Sequence, residues 1–300
     1  MRRFFVDPEL ASQLAVADAQ VAPSRECDEF AANLRSWCRR ELVSRPGYLL
    51  MTGLEHLSEP EARRFVRRIA HLLGEPIQHD GTGAIIRDVL DRGASLESER
   101  TVRYSDTRYG GNPHTDGCHR PGPVPDIFTL YCVRQAARGG CLLLVHLHDV
   151  LRELRKTPSV IETLCLPVHF DTRGTREPLT VQRPILEAIA GGVRFNYVRA
   201  YIDSAYETLD LPPLSASQLA AFDVLDRLLN RPEVQSRCRL APGEMIVVNN
   251  RSVIHARTTF SPEAQGHGRL FLRVWIDASA KVFDAHGPGG APEELVNSLR

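Results

Sequence analysis

The sequence predicts a mainly β fold with flanking helices, built around a double-stranded β-helix, or jelly roll. Short apolar segments separated by glycine and proline turns recur through the middle and end of the chain, as in sandwiches and barrels of antiparallel strands. Helical periodicity is concentrated in the first third, with one or two helices inserted later. We therefore expect a single domain over 1–300, with a helical N-terminal buttress (1–75), a jelly-roll core with inserted helices (76–277) and a loose tail (278–300).

The first third of the chain contains two predicted helices around a predicted strand. Apolar residues recur with a 3.6-residue period after Asp28, a suitable N-cap. The segment 47–53 is a short apolar stretch between two glycines and predicts a strand. Ser58 and Glu61 then form the pattern of a capping box, and the helix that follows is expected to end at Gly74.

Strand patterns alternate with further helical segments in the remaining chain. Apolar runs predict strands at 127–133 and 141–145, and a capping box at Ser215 begins a helix. The segment 194–199 is also expected to be a strand. Since alternate residues of a strand share a face, Tyr197 and Arg199 are candidate contacts to a substrate.

The composition favours neither nucleic acid nor a membrane surface as a partner. Lys and Arg together number 37, and so do Asp and Glu, so the charges balance. No apolar run approaches the roughly 18 residues that span a bilayer, and the first residues lack the apolar stretch of a signal peptide. The seven cysteines are scattered and include no CxxC pair, so we expect them to be reduced. These features predict a cytoplasmic protein with a small-molecule partner.

The pair His114 and Asp116, in the segment GGNPHTDG at 110–117, is the strongest candidate for a functional site. In an extended segment, residues two apart point the same way, so the imidazole and the carboxylate converge on one point. One more histidine would complete the arrangement of two histidines and one carboxylate that holds Fe(II) and leaves three coordination positions open. His255, at the end of an apolar run, is the candidate.

Two arginines follow His255 on a third predicted strand. Between 269 and 276 the residues alternate, which places Arg269 and Arg273 on one face and an apolar row on the other. Charged residues on one face of so apolar a strand suggest that an anion is held inside the fold. For Arg273, an ion pair at the rim of the barrel is the alternative.

The order of these residues resembles the Fe(II)/2-oxoglutarate dioxygenases of the taurine dioxygenase and clavaminate synthase-like family. The HxD pair comes first, then His255 after an apolar strand, then Arg269 fourteen residues later and Arg273 four beyond that. The segment 47–53 and the pair Gly139-Gly140 also fall in the family's order. The resemblance covers roughly residues 45 to 277.

The resemblance implies separate roles for the metal-binding and the cosubstrate-binding residues. His114, Asp116 and His255 would bind Fe(II), and Arg269 would bind the distal carboxylate of the cosubstrate 2-oxoglutarate, with Arg273 contacting the cosubstrate or a substrate carboxylate. O2 would take the remaining metal position, and the products of the cosubstrate would be succinate and CO2. Halogenating relatives lose the carboxylate ligand, so Asp116 argues for hydroxylation or desaturation, and we expect the substrate to be an amino acid or an amino-acid-derived biosynthetic intermediate.

The chain departs from the family pattern at one position. The family usually has Ser or Thr two residues after the Gly-Gly pair, where it shares the distal carboxylate with the arginine. Here that position is Leu142, which has no hydrogen bond to donate. Either a hydroxyl from another strand, such as Thr129, takes its place, or Arg269 holds the cosubstrate alone.

Two other functions remain open from the sequence. A jelly-roll protein could keep the metal triad yet bind metal or ligand without turnover, as Leu142 would allow. His146 and His148 form a second HxH pair, and this spacing in a strand would suit a cupin-type dioxygenase. In that case those two histidines, and not His255, would hold the metal.

Overall fold

The computed structural model of the chain describes residues 2–16, 25–79, 83–93, 104–174, 178–190, 192–261, 268–278 and 282–283. Its helices are α1 (Pro8–Leu14), α2 (Arg25–Val43), α3 (Glu59–Leu73), α4 (Leu147–Leu154), α5 (Pro158–Leu164), α6 (Arg199–Thr208) and α7 (Ala216–Leu229). Its strands are β1 (Arg3–Phe5), β2 (Tyr48–Thr52), β3 (Gly74–Ile77), β4 (Ile86–Val89), β5 (Ile127–Arg134), β6 (Leu142–His146), β7 (Pro167–Asp171), β8 (Thr180–Pro184), β9 (Leu186–Ile189), β10 (Gly192–Phe195), β11 (Ser236–Cys238), β12 (Met245–Asn249), β13 (Val253–Arg257) and β14 (Leu270–Ala278).

Seven strands form a mixed main sheet in the order β1-β2-β12-β5-β14-β3, with β4 paired to β14 as well. The β1–β2 pair is parallel and the others are antiparallel. The long strand β14 lies between β5 on one side and β3 and β4 on the other. Its apolar row, which includes Leu272 and Val274, packs in one core cluster, and Phe271 and Trp275 pack in another. The predicted alternation along this strand is therefore confirmed.

A three-stranded sheet, β11-β6-β13, faces the main sheet. Leu142, Leu144 and Val253 of this small sheet share one apolar cluster with Phe128, Trp275 and other residues of the main sheet. This cluster is the interior between the two sheets. Two further strand pairs, β7-β8 and β9-β10, lie outside these sheets.

Helices α1 to α3 cover the outer face of the main sheet. Their apolar residues join the alternate residues of β5, β12 and β14 in one cluster, as expected of amphipathic helices on a sheet. Helix α3 begins as predicted, since the carboxylate of Glu61 accepts a hydrogen bond of 2.8 Å from the backbone N–H of Ser58. Gly74 follows directly after its last residue. Because β1 and β2 precede residue 75, this part of the chain contributes strands to the main sheet as well as helices.

Helices α4 to α7 form a second apolar cluster with the outer face of the small sheet, through Val145 of β6 and Ile254 of β13. The predicted helix after Ser215 is α7, and its capping box with Gln218 is present. Within the described part of the chain, no helix is long and apolar enough to cross a membrane.

The strands predicted at 47–53, 127–133 and 141–145 are present as β2, β5 and β6. The strand predicted over 194–199 is wrong in its second half, because β10 ends at Phe195 and α6 begins at Arg199. The ion pair between Arg199 and Asp203, one helical turn apart at 2.8 Å, stabilises the start of this helix. The predicted tail falls mostly outside the described residues.

Candidate metal centre

His114 and His255 are brought together by the backbone. The N–H of His114 donates to the carbonyl of His255 at 2.9 Å, and the N–H of His255 donates to the carbonyl of His114 at 2.8 Å. This isolated antiparallel bridge extends the small sheet beside β13. Two residues that lie far apart in the chain thereby become direct neighbours.

His114, Asp116 and His255 form a compact group of metal-ligating side chains. One ligand atom from each lies within 4.8 Å of the others. Between His114 and Asp116, the hydroxyl of Thr115 accepts a hydrogen bond from the N–H of Tyr197 at 3.0 Å. The structure therefore brings together the three residues that the sequence predicted as ligands.

The protonation states of the three side chains suit a divalent metal. Nδ1 of His114 lies 2.9 Å from the carbonyl oxygen of Asn112, so this nitrogen donates a proton and Nε2 keeps its lone pair. Burial lowers the pKa of His114, and it lowers the pKa of His255 to about 3. Burial opposes ionisation of Asp116, yet the guanidinium of Arg273 and the hydrogen bond from Trp275 hold its pKa well below the usual range. Two neutral imidazoles and one carboxylate fit Fe(II).

The carboxylate of Asp116 is held by two residues of β14. Arg273 Nη1 donates to both carboxylate oxygens, at 3.0 and 3.2 Å, and Trp275 Nε1 donates to Oδ2 at 2.8 Å. His79 packs against Trp275, with 4.3 Å between the ring centroids, and its Nε2 donates to the backbone carbonyl of Arg273 at 3.2 Å. These contacts fix the orientation of a charged side chain at the end of a loop.

The backbone of the Asp116 loop is held by Asn250. Its Oδ1 accepts from the N–H of Asp116 at 2.8 Å, and its Nδ2 donates to the carbonyls of Asp116 at 2.9 Å and Pro125 at 2.8 Å. Asn250 is buried, so these groups have no access to water when the amide is removed.

Asn250→Ala is therefore expected to lower the free energy of unfolding by about 3 kcal/mol, because a buried group left without its hydrogen bond costs about 1–3 kcal/mol. Urea denaturation of the metal-free protein measures this loss. Asn230→Ala is the matched control, since the side chain of Asn230 bonds one carbonyl at the exposed end of α7. An equal, small effect of both substitutions would contradict the role of Asn250.

Arg269 lies beside the triad and lines a cavity next to it. Its side chain is almost fully buried, and Nε and Nη1 have no hydrogen-bond partner in the described part of the chain. The guanidinium lies 3.8 Å from the ring centroid of Phe271. Burial lowers the pKa of Arg269 to about 9, and the nearby charge of Arg257 adds to this. A buried guanidinium with two unpartnered nitrogens fits a carboxylate ligand.

The Gly139-Gly140 turn leaves room for this arginine. Both glycines have positive φ, at 76° and 69°, a conformation that L side chains rarely adopt. A Cβ at Gly140 would lie 3.2 Å from Arg269 Nε. The pair of glycines therefore permits the close approach of this turn to the side chain of Arg269.

Two cavities meet at the triad. One contains Arg269, together with Ser105, Leu130, Leu142, His255, Arg257 and Arg273. The other opens on Asp116 and is lined by Ser105, His119, Val198, Tyr201, Arg273 and Trp275. Arg273 lies at both cavities, next to the carboxylate that it binds.

The assignment of Tyr197 and Arg199 as substrate contacts must be corrected. The Tyr197 hydroxyl donates to Asp226 Oδ1 at 2.6 Å, and Arg199 binds Asp203, Asp223 and Asp226. Neither residue lines a cavity at the triad. Because the chain turns into α6 at residue 199, the two side chains do not share a strand face and instead join α6 to α7.

The hydroxyl of Thr129 does not replace the missing Ser or Thr at Leu142. Along β5, Phe128 and Leu130 point into the interior cluster, whereas Ile127 and Tyr131 pack against the helices. Thr129 shares the face of the latter pair, and it is absent from the lining of the Arg269 cavity. The sequence identified the strand but not which of its faces lies toward the site.

His146 and His148 do not lie side by side on one strand, as a metal site built from this HxH pair would require. His146 ends β6, and its Nδ1 accepts from the backbone N–H of His148 as the cap of α4. His148 is half exposed on that helix. In the described ranges, the triad is the one group of three or more metal-ligating side chains, so the geometry contradicts the cupin-type arrangement.

Several residues that line the cavities were not identified from the sequence, among them Ser105, Val198, Tyr201, Arg257 and Trp275. For Arg257 the sequence did contain an indication. It lies two residues after His255 in a predicted strand, so the alternation that joins His114 to Asp116 applies to it as well. The same alternation places Trp275 on the face of Arg273, whereas the others depend on contacts between distant segments.

Comparisons with known proteins agree with this geometry. The family model described as taurine catabolism dioxygenase TauD, TfdA family matches residues 24–275. FR-33289 synthase of Streptomyces rubellomurinus (strain ATCC 31215) is 27% identical over 261 residues, which cover 83% of this chain and 74% of that protein. Uridine-5'-phosphate dioxygenase of an Amycolatopsis species is 30% identical over 247 residues, which cover 79% of this chain and 87% of that protein.

Solved structures share the fold at low sequence identity. An asparagine oxygenase in complex with Fe(II), 2S,3S-3-hydroxyasparagine and succinate superimposes with a TM-score of 0.70 at 20% identity, covering 91% of this chain and 93% of that one. The non-heme iron oxygenase OrfP in complex with Fe and alpha-ketoglutaric acid gives a TM-score of 0.68 at 14% identity, covering 93% and 95%. Since the family model spans most of the sequence, this chain belongs to the taurine catabolism dioxygenase TauD/TfdA family.

Proposed function

We propose that this chain is an Fe(II)- and 2-oxoglutarate-dependent oxygenase that hydroxylates a small biosynthetic molecule. One observation carries the proposal, namely that the group of two histidines and one carboxylate lies beside Arg269, a buried guanidinium with two unpartnered nitrogens. We also infer that the two facing sheets are the halves of a jelly roll, with the site between them.

In this proposal His114, Asp116 and His255 hold the metal. The hydrogen bond from Nδ1 of His114 to a carbonyl directs Nε2 toward the metal. Arg273 and Trp275 keep the carboxylate of Asp116 ionised and oriented. The role of Arg273 is then to position a ligand, in addition to any contact with the cosubstrate.

Arg269 binds the distal carboxylate of the cosubstrate. A planar guanidinium matches a carboxylate with two parallel hydrogen bonds, and Nε and Nη1 of Arg269 have no partner among the described residues. When bound, iron and 2-oxoglutarate supply the oxidation of a C–H bond by O2, with succinate and CO2 as coproducts. Leu130 and Leu142 form an apolar wall of this cavity, which would suit the methylene carbons of the cosubstrate.

The substrate occupies the second cavity, over Asp116. Val198, Tyr201 and His119 replace Tyr197 and Arg199 as the proposed substrate contacts, since they line this cavity. The rings of His119 and Tyr201 lie edge to face with centroids 4.7 Å apart. Arg273, the charged residue shared by both cavities, favours a substrate with a carboxylate or another anionic group.

We propose an amino acid or an amino-acid derivative as substrate. Two enzymes that share this fold support this class. The asparagine oxygenase was solved with a hydroxylated asparagine, and OrfP was solved with a hydroxylated arginine. A relative in the same family is named for uridine 5'-phosphate, so nucleoside monophosphates are the competing anionic class.

The test is formation of succinate from 2-oxoglutarate by the Fe(II)-loaded protein, measured with a panel of amino acids and of nucleoside monophosphates. We expect succinate formation to rise with one or a few amino acids and a hydroxylated product to appear in equal amount. If succinate formation rises with nucleoside monophosphates and with no amino acid, the substrate is a nucleotide and the amino-acid assignment is wrong. Tight iron binding with no succinate under any condition would favour a binding protein without turnover.

A further inference from the structure

A second arginine, the partly buried Arg257, lies in the cavity of Arg269. It is the last residue of β13 and lies directly opposite Leu142 in the β6–β13 pairing. Leu142, Arg257 and Arg269 all line this cavity. The guanidinium of Arg257 therefore reaches the cavity from β13, the neighbour of strand β6, where Leu142 stands in place of the family's hydroxyl.

Arg257 is only partly satisfied by the protein. Its Nη2 donates to the backbone carbonyls of Thr107 at 2.7 Å and Tyr109 at 2.6 Å. Its Nε is buried without a hydrogen-bond partner, as are Nε and Nη1 of Arg269. A buried donor without a partner is costly, so the two arginines together present three groups that a ligand would satisfy.

The cavity holds two positive charges, and the carboxylate of Asp91 offsets that of Arg257 only from beyond ion-pair distance. Within the described residues, neither Arg257 nor Arg269 forms an ion pair, whereas Arg273 in the same cavity is paired with Asp116. Two like charges in a buried site repel each other and lose hydration. A single anion between them removes both penalties.

We propose that Arg257 provides the second contact to the distal carboxylate of 2-oxoglutarate, in place of the hydroxyl that the family usually carries at position 142. Arg269 reaches the carboxylate from the main sheet and Arg257 from the small sheet. The exchange of a hydroxyl for leucine on β6 is thereby compensated by the neighbouring strand. This inference rests on the proposed function.

The test compares two 2-oxo acids, one with and one without the distal carboxylate, so it measures the contribution of that carboxylate to binding. The protein is loaded anaerobically with Fe(II), and the visible absorption of the metal–2-oxo acid chelate gives the Kd for 2-oxoglutarate and for pyruvate, which lacks the distal carboxylate. For Arg257→Met we expect the Kd of 2-oxoglutarate to rise at least tenfold, with that of pyruvate changed less than twofold. Adding Leu142→Thr to this variant is expected to recover most of the loss.

Arg251→Met is the matched control. Arg251 lies in the turn between β12 and β13 but binds Asp126 at 2.7 Å, outside the cavity, so both Kd values should stay within twofold of the original. An equal rise for the two acids in Arg257→Met would overturn the proposal, because it would show damage to the 107–109 loop. An unchanged Kd for 2-oxoglutarate would overturn it too. Failure of the unmodified protein to bind either acid would instead refute the proposed function.

Discussion

Replacing His255 by alanine is expected to weaken Fe(II) binding at least 100-fold and to abolish succinate formation. His255 supplies one of three ligand atoms in a group that spans less than 4.8 Å, and loss of a residue that merely orients a ligand already weakens metal binding about 10–100-fold. Anaerobic titration with Fe(II), followed by a competing chelator, measures the affinity. The rings of His114 and Phe128 that contact His255 would be left beside a cavity.

His148→Ala serves as the control for this substitution. His148 belongs to the alternative HxH pair and is half exposed on α4, so its loss should leave metal affinity and succinate formation within twofold. The reverse result, with metal binding lost in His148→Ala and kept in His255→Ala, would show that the cupin-type arrangement is correct after all.

Arg269→Met is expected to raise the KM for 2-oxoglutarate about 100-fold or more. Hydrogen bonds between charged groups contribute about 1.5–3 kcal/mol each, and a bidentate guanidinium–carboxylate pair makes two. Metal affinity should not change, since Arg269 is not a ligand. Initial rates of succinate formation over a range of cosubstrate concentrations give the KM.

The same substitution should not destabilise the metal-free protein. Arg269 has a pKa lowered to about 9 by burial, so the charged form is held in the folded state at a cost that methionine does not have. Urea denaturation should therefore give Arg269→Met a free energy of unfolding equal to or above that of the original chain. A large loss would instead show that the contact of Arg269 with the ring of Phe271 is structural.

Local periodicity was sufficient for the parts of the site that lie on one strand. The two-residue spacing of His114 and Asp116 predicted a shared direction, and the alternation over 269–276 separated Arg269 and Arg273 from Leu272 and its apolar neighbours. The reason is that successive side chains of an extended chain point to opposite faces, so residues separated by an even number of positions share a face. The same rule, applied to the segment after His255, would also have identified Arg257.

The same rule failed where the chain left the strand. Tyr197 and Arg199 have strand spacing, but the backbone turns into a helix at Arg199, and carboxylates from α6 and α7 bind both side chains. Those carboxylates are distant in sequence or lie on the new helix. The alternation of side chains along a strand does not continue through the turn from a strand into a helix.

The sequence by itself predicted the shared direction of His114 and Asp116, the shared face of Arg269 and Arg273, and the succession of most strands and helices, because each of these depends on residues close together in the chain. The third proposed ligand, His255, came from the order of residues that resembles the family. Only the tertiary structure decided that Thr129 faces the helices, that Val198 and Tyr201 lie at the site, and that Arg257 shares a cavity with Arg269. These placements depend on which strands become neighbours and which sheet faces the interior. Such pairings are made by backbone hydrogen bonds and packing between segments far apart in the sequence, so no local pattern encodes them.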